Sequence, residues 1–446
     1  MRKFKLNGKK IAALLMLPLS FAVTNSQAAI EGIAGTLSAG VRTFNLEVKQ
    51  VSIQTPDGDS FKIWGYGEVG GTVQYPGPTL IAQQGETVNV TLVNNLPTTG
   101  GVPTLPVSAI FPGQEGVAAT GGTVGLLTNE SNGSLDTVTY SFPASNPGTY
   151  MYQSGTRPGL QVEMGLIGAL IIRPTGFAAG VGGNRIAYNG PGTDYDHEYL
   201  FILTEMDPMV HYLVEFGYLE LINNAVSHPV LWFINGRNGP DTVFGNHYPF
   251  TPYQPYSSLA EMLPGERSLV RVIGAGRDLH PFHLHGNNFS QIARDGRLLQ
   301  SAESVTLDQG PDLAESDYTL KTAPGATYDA IFEWDGANLG WDIYGHAPGD
   351  AMVPTEDPAD HGKPIPVALP EQSNLTFGGF YSGSPFLGAE NSLPPGEGGL
   401  NLTGGMFFIW HSHTEKELVN NDVFPGGMMT FIVVQPPGTP IVYSNF

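Results

Sequence analysis

From Thr87 to Leu92, apolar Val88, Val90 and Leu92 alternate with polar Thr87, Asn89 and Thr91. That two-residue period marks a strand with one face buried. Similar short runs recur at residues 137–142, 166–172, 199–204, 268–273 and 430–434. Clusters of Gly, Pro, Asn and Asp separate them, and no window carries a long helical period. Many short strands with turn signals between them predict an all-β chain built as Greek-key barrels or sandwiches.

Composition supports this reading. The 446 residues include 58 Gly and 36 Pro, with aromatics at 10%. That is rich in turns yet carries enough large apolar side chains for a core. At the N-terminus, Arg2, Lys3, Lys5, Lys9 and Lys10 precede an apolar run from Ile11 to Val23 and then Ser26-Gln-Ala28. A basic segment, an apolar segment and a small-x-small site read as a secretory signal peptide over residues 1–28. The run is shorter than the roughly twenty apolar residues of a membrane span. The protein is therefore expected to be exported, to the periplasm or beyond the cell, with no membrane span in its mature chain.

Without residues 1–28, 15 basic residues face 41 acidic ones, a net charge of −26. Such a surface repels nucleic acid and anionic lipid, which attract Lys- and Arg-rich proteins, so neither is an expected partner. The chain has no cysteine. A chain this long needs no disulfide for its core, and no thiolate is available to hold a metal.

The chemistry lies in two histidine motifs, His280-Pro-Phe-His-Leu-His-Gly286 and Trp410-His411-Ser412-His413. Imidazole is the commonest side-chain ligand for copper and zinc. In an extended segment side chains two apart share a face. His283 with His285, and His411 with His413, thus form a candidate four-imidazole metal patch. Copper is the first expectation and zinc the second. His346, in Trp341-Asp-Ile-Tyr-Gly-His346, is read as a lone surface histidine. His211, His228 and His247 sit in loop-like contexts and receive no role.

Together with the Gly-Met-Met strand at residues 427–434, these motifs resemble the C-terminal signature of multicopper oxidases. The segment from Tyr75-Pro-Gly-Pro-Thr to Leu96 is similar to the opening strands of that family. Gly148-Thr-Tyr-Met-Tyr-Gln-Ser-Gly155, running on to Ile172, is similar to the end of its first domain. The resemblance implies two cupredoxin-like domains, as in two-domain laccases and copper nitrite reductases. Domain 1 is expected over residues 29–175, a Gly-rich linker over 176–196, and domain 2 over 197–446. A Gly/Pro-rich insertion, about residues 347–405, enlarges the second domain. Two-domain relatives also imply a head-to-tail homotrimer.

Matched residue by residue, the resemblance leaves much of the family's copper machinery without ligands. The type 1 thiolate position is Ser412, and the second type 1 histidine corresponds to Glu417. Only His280 keeps its type 1 identity, with Met428 or Met429 near the axial position. The second-domain half of the trinuclear cluster is intact as His283, His285, His411 and His413. In the first-domain half, Val107, Pro112, Gln153 and Gly155 stand where histidines belong. A type 1 site needs a thiolate, so the family's four-electron oxidase route cannot run here, and the site outweighs the fold analogy. Two readings stay open. One is an exported multicopper-oxidase-like protein with a residual metal site at His280, His283, His285, His411 and His413, serving copper binding or limited redox chemistry. The other is a non-enzymatic cupredoxin scaffold or interaction protein of the cell envelope.

Overall fold

A computed structural model of the chain describes residues 30–98, 105–133, 135–285, 288–337, 340–342, 344–354, 356–364, 383–384, 406–435 and 438–441. The expected signal peptide and most of the expected insertion lie outside these residues. The alternation from Thr87 to Leu92 is realised as strand Thr87–Asn94, whose Val88, Val90 and Leu92 are fully buried. This strand runs parallel to the long strand Val41–Gln54 and antiparallel to Val138–Pro143 in a six-stranded sheet. A three-stranded sheet of Gly148–Gln153, Ile167–Arg173 and Gly77–Gln83 completes the first half. Between the two, Tyr66, Tyr140, Phe142 and Tyr152 fill the core.

The second half repeats the scheme with a seven-stranded and a six-stranded sheet. His197–Met206 pairs in parallel with Arg267–Gly274, which pairs antiparallel with Thr327–Glu333. The facing sheet contains Met429–Val434, Met406–Ser412, His280–Leu284 and Thr319–Thr322 in that order. Phe201, Phe282 and Trp410 meet between these sheets, with ring centroids 5.1 to 5.6 Å apart. The chain is all-β with cupredoxin-like architecture.

Two kinds of contact join the halves. One is apolar: Ile63, Ile81, Met151, Ile167 and Ile171 pack against Leu200, Ile202, Phe233 and Ile273. Each such side chain contributes about 1.5–3 kcal/mol by leaving water. The other is a buried ionic chain. Arg173 grips Glu198 through both terminal nitrogens, at 2.5 and 2.7 Å. The fully buried Arg271 donates Nε to Glu198 at 2.6 Å and Nη1 to Thr149 Oγ1 at 2.8 Å. Two guanidiniums hold the Glu198 carboxyl well below the usual carboxylate range against the opposing effect of burial.

Segment 176–196 folds as turns, and its Ala187, Tyr188 and Tyr195 pack on Leu269, Ile292 and Ile331. Among the described residues helices are short. The longest of them, Pro208–Glu215, starts at Asp207, whose side chain caps Met209 N at 3.0 Å, with Pro208 in the first turn. His211 is therefore a buried helix residue, not a loop one; its Nδ1 donates to the Lys62 carbonyl at 2.7 Å.

Candidate metal centre

Register decides which face each histidine takes. His283 sits opposite His411 across the antiparallel ladder, Phe282 opposite Ser412 and Leu284 opposite Trp410. His285 N bonds to the Ile409 carbonyl at 3.0 Å and His413 N to the Pro281 carbonyl at 2.8 Å. With a side-chain period of two, His283, His285, His411 and His413 emerge on one face. Phe282, Leu284, Trp410 and Ser412 point into the core.

The four imidazoles form a compact group. His283 lies 4.9 Å from His285, 5.5 Å from His411 and 4.8 Å from His413, centroid to centroid. His285 Nε2 and His411 Nε2 approach to 3.2 Å. Nitrogens of His283, His285 and His411 lie within 4.8 Å of one another, close enough to share one ion. His411 Nδ1 donates to the Ser412 carbonyl at 2.6 Å; a carbonyl only accepts, so the lone pair of neutral His411 is on Nε2, facing His285. His283 Nδ1 meets Thr319 Oγ1 at 2.8 Å, and the Tyr318 ring stands edge-on to its imidazole. His285 and His411 are buried, His283 half-buried and His413 exposed.

Burial first, and crowding second, favour the neutral form of His283, His285 and His411. Burial, helped by neighbouring His411 and His413, pushes His283 down to about 4. Burial with the three other rings pushes His285 to about 3. Burial also lowers His411, with His413 adding to it. Neutral imidazoles with converging lone pairs are the form a transition metal takes. The donor set fits a histidine-bound ion.

On the core side, the residues that the resemblance assigns to type 1 copper form a hydrogen-bonded cluster. His280 Nδ1 lies 2.8 Å from Glu417 Oε2 and its Nε2 lies 3.0 Å from Glu205 Oε2. Ser412 Oγ donates to the same Glu417 Oε2 at 2.6 Å. All four residues are buried. Burial alone would lower the His280 pKa, but its hydrogen bonds to the Glu205 and Glu417 carboxylates raise it to about 9. Glu205 reaches this place because residue 276 is glycine; a Cβ there would lie 1.9 Å from Glu205 Oε2. With both ring nitrogens turned to carboxylates, His280 stands apart from the four-imidazole group. Glu205 carried no sequence signal, because it reaches the site from another sheet.

Of the first-half positions that the resemblance matches to histidines, two are closed over by their neighbours. Val107 and Gly155 are buried, Gln153 is half-buried and Pro112 is exposed. Val107 bridges Ser131 through backbone bonds of 3.0 and 2.8 Å, and Gly155 N donates to Ser108 Oγ at 3.1 Å. His346, expected to be a lone surface histidine, instead packs against His361, Asp342 and Glu356.

Residues 47–176 match the multicopper oxidase family profile. L-ascorbate oxidase of Cucurbita maxima is 38% identical over 101 residues, which is 23% of this chain and 16% of that relative. The same enzyme of Cucurbita pepo var. melopepo is 37% identical over 101 residues, 23% of this chain and 17% of the relative. The match therefore spans about a sixth of these curated relatives. Among solved structures, the blue copper oxidase of Nitrosomonas europaea superposes with a TM-score of 0.52 at 20% identity, covering 88% of this chain and 85% of that one. The multicopper oxidase mgLAC gives 0.52 at 18% identity, covering 90% and 88%. Residues 47–176 thus resemble a multicopper oxidase domain, the solved structures share the cupredoxin fold, and the chain has no cysteine to serve a type 1 copper.

Proposed function

We propose that this is an exported multicopper-oxidase-like protein with a residual histidine site for copper, or less favourably zinc, and no type 1 copper. The observation that carries the reading is the 3.2 Å approach of His285 Nε2 to His411 Nε2 beside His283. Two neutral imidazoles whose nitrogens face each other share one proton at best; an ion between them satisfies both. Bound copper supplies one-electron exchange between its two common oxidation states. His283, His285 and His411 are the first ligands, with His413 at the exposed rim. Thr319 orients His283, and the Ser412 carbonyl fixes the tautomer of His411. His280 takes the separate task of holding Glu205 and Glu417.

Without a thiolate relay the proposed role is copper binding or limited redox chemistry rather than four-electron oxidation. Export rests on the character of residues 1–28. Among the described residues no helix is long and apolar enough to cross a membrane. A head-to-tail homotrimer belongs to the same proposal, with exposed Pro112 and half-buried Gln153 as contact residues; light scattering giving a monomer would remove it.

Metal analysis tests the site. After copper loading, about one tightly held ion with nitrogen hyperfine structure in its Cu(II) resonance is expected per patch. His285→Ala with His413→Ala should abolish that signal, whereas exposed His228 and His247 replaced by Ala should leave it. Equal copper retention by both double variants would make the patch a relic and favour the scaffold reading.

A further inference from the structure

We propose a second metal site, of zinc type, formed by Asp342, His346, Glu356 and His361 at the base of the second-domain insertion. One ligand atom from each of these residues lies within 4.8 Å of the other three. His361 Nδ1 is 2.6 Å from Glu356 Oε1, and His346 Nδ1 is 3.1 Å from Glu356 Oε2 and 3.3 Å from Asp342 Oδ2. His361 Nδ1 and Asp342 Oδ2 are 4.0 Å apart. Four tetrahedral ligands at zinc bond lengths of 2.0–2.1 Å stand about 3.3 Å from each other. The observed separations straddle that value, so small side-chain movements suffice to close the shell.

Charge and burial point the same way. The Asp342 and Glu356 side chains are 0% and 2% exposed, whereas His346 and His361 form the rim at 20% and 17%. Asp342 is held in place by Tyr344 N at 2.8 Å and Gly362 N at 2.9 Å. Two buried carboxylates facing two imidazoles that are neutral when they ligate carry a net charge of −2, which a divalent cation neutralises. Two nitrogen and two oxygen ligands with no open position make a closed structural site rather than a catalytic one.

The surrounding chain supplies an independent reason. From Gly345 to Pro364 the described residues form turns without strand or helix, and those buried are Glu356, Asp360 and Gly362. This stretch has no apolar side chain in a core. Segments that cannot bury enough apolar surface are held by other staples, a structural metal among them. The four side chains are the polar centre around which this stretch is arranged, and the ion would tie both of its ends to Trp341, which is buried in the second-domain core.

The test removes the histidine patch first, using full-length protein carrying His285→Ala and His413→Ala, so its outcome is independent of the patch. The protein is stripped with chelator, then loaded with Zn(II) or Co(II). One ion per chain is expected, with the strong visible bands of tetrahedral Co(II), and loading should slow proteolysis between residues 345 and 364. His346→Gln or His361→Gln should weaken binding by more than about tenfold, since even outer-sphere partners of a metal are worth 10–100-fold. Both histidines lie at the rim, and circular dichroism checks that the variants fold. Should they not, the comparison of loaded with stripped parent still decides. Absence of stoichiometric Zn(II) and Co(II) from the parent, or equal binding by folded ligand variants, overturns the site.

Discussion

Glu417 Oε2 lies 2.8 Å from His280 Nδ1 and accepts from Ser412 Oγ at 2.6 Å, so one buried carboxylate oxygen ties together two positions that the family resemblance assigns to type 1 copper. Glu205 completes the cluster at 3.0 Å from His280 Nε2. The pair has a consequence for stability. His280 is raised to about 9 in the folded protein, against about 6.5 for a histidine in an unfolded chain. The folded state therefore holds its proton more tightly, and the stabilisation is fully present below pH 6.5. It is lost as pH rises through about 9, an effect on the order of 3 kcal/mol. Urea denaturation between pH 6 and 10 should show this decline, and His280→Gln should flatten it. An unchanged midpoint across that range would mean the proton is not held by this cluster.

The same geometry predicts the outcome of restoring the thiol. Ser412→Cys places sulfur beside Glu417, an acceptor already aligned with His280. A thiol there has a carboxylate rather than a second imidazole as neighbour, and a type 1 site needs two histidines with its thiolate. Copper-loaded Ser412→Cys protein is expected to lack the intense blue absorption, and phenol oxidation should stay at background. The parent protein should likewise be colourless with copper bound. Appearance of an intense visible band in the single variant would show that Glu417 moves aside.

Much of this arrangement was legible in the sequence, for local reasons. The alternation of Val88, Val90 and Leu92 is a property of neighbours along the chain, and the strand buries those three. The two His-x-His motifs share a face because a strand repeats every two residues, and the ladder pairs His283 with His411. What escaped depends on long-range packing. Glu205 arrives from a strand 75 residues away from His280, admitted by the absence of a side chain at Gly276. His346 and His361 come together through turns with no periodic signature. A helix of eight residues is too short to impose a period, so His211 was read as a loop residue although it lies in Pro208–Glu215.

Arg271 gives a prediction about the joint between the two halves of the chain. It bonds Glu198 and Asp329 of the second half and Thr149 of the first, and is fully buried. Removing one member of a buried ionic group strands the others, typically at about 3–5 kcal/mol. Arg271→Met is expected to destabilise the protein by that amount in urea unfolding. Arg271→Met combined with Thr149→Ala should cost less than the sum of the two, because both remove the same bond. Strict additivity would show that Thr149 and Arg271 do not act together.

The last prediction concerns acid. An ordinary histidine protonates near pH 6.5, and a metal held by such rings competes with protons from there downward. Here burial and mutual repulsion hold His283 at about 4 and His285 at about 3. A lowered value means the neutral ligand form persists to more acid conditions, so the proton is a weak competitor between pH 6.5 and 4. Copper affinity of the patch should therefore change little from pH 7 to about pH 5 and fall steeply only near pH 4 and below. Surface carboxylates and exposed histidines that bind copper loosely should release it earlier, which separates the two populations in one titration. Equilibrium dialysis against a copper buffer, with the Cu(II) resonance followed in parallel, measures both. A release midpoint near 6.5 would place the bound ion on exposed imidazoles and away from His283, His285 and His411.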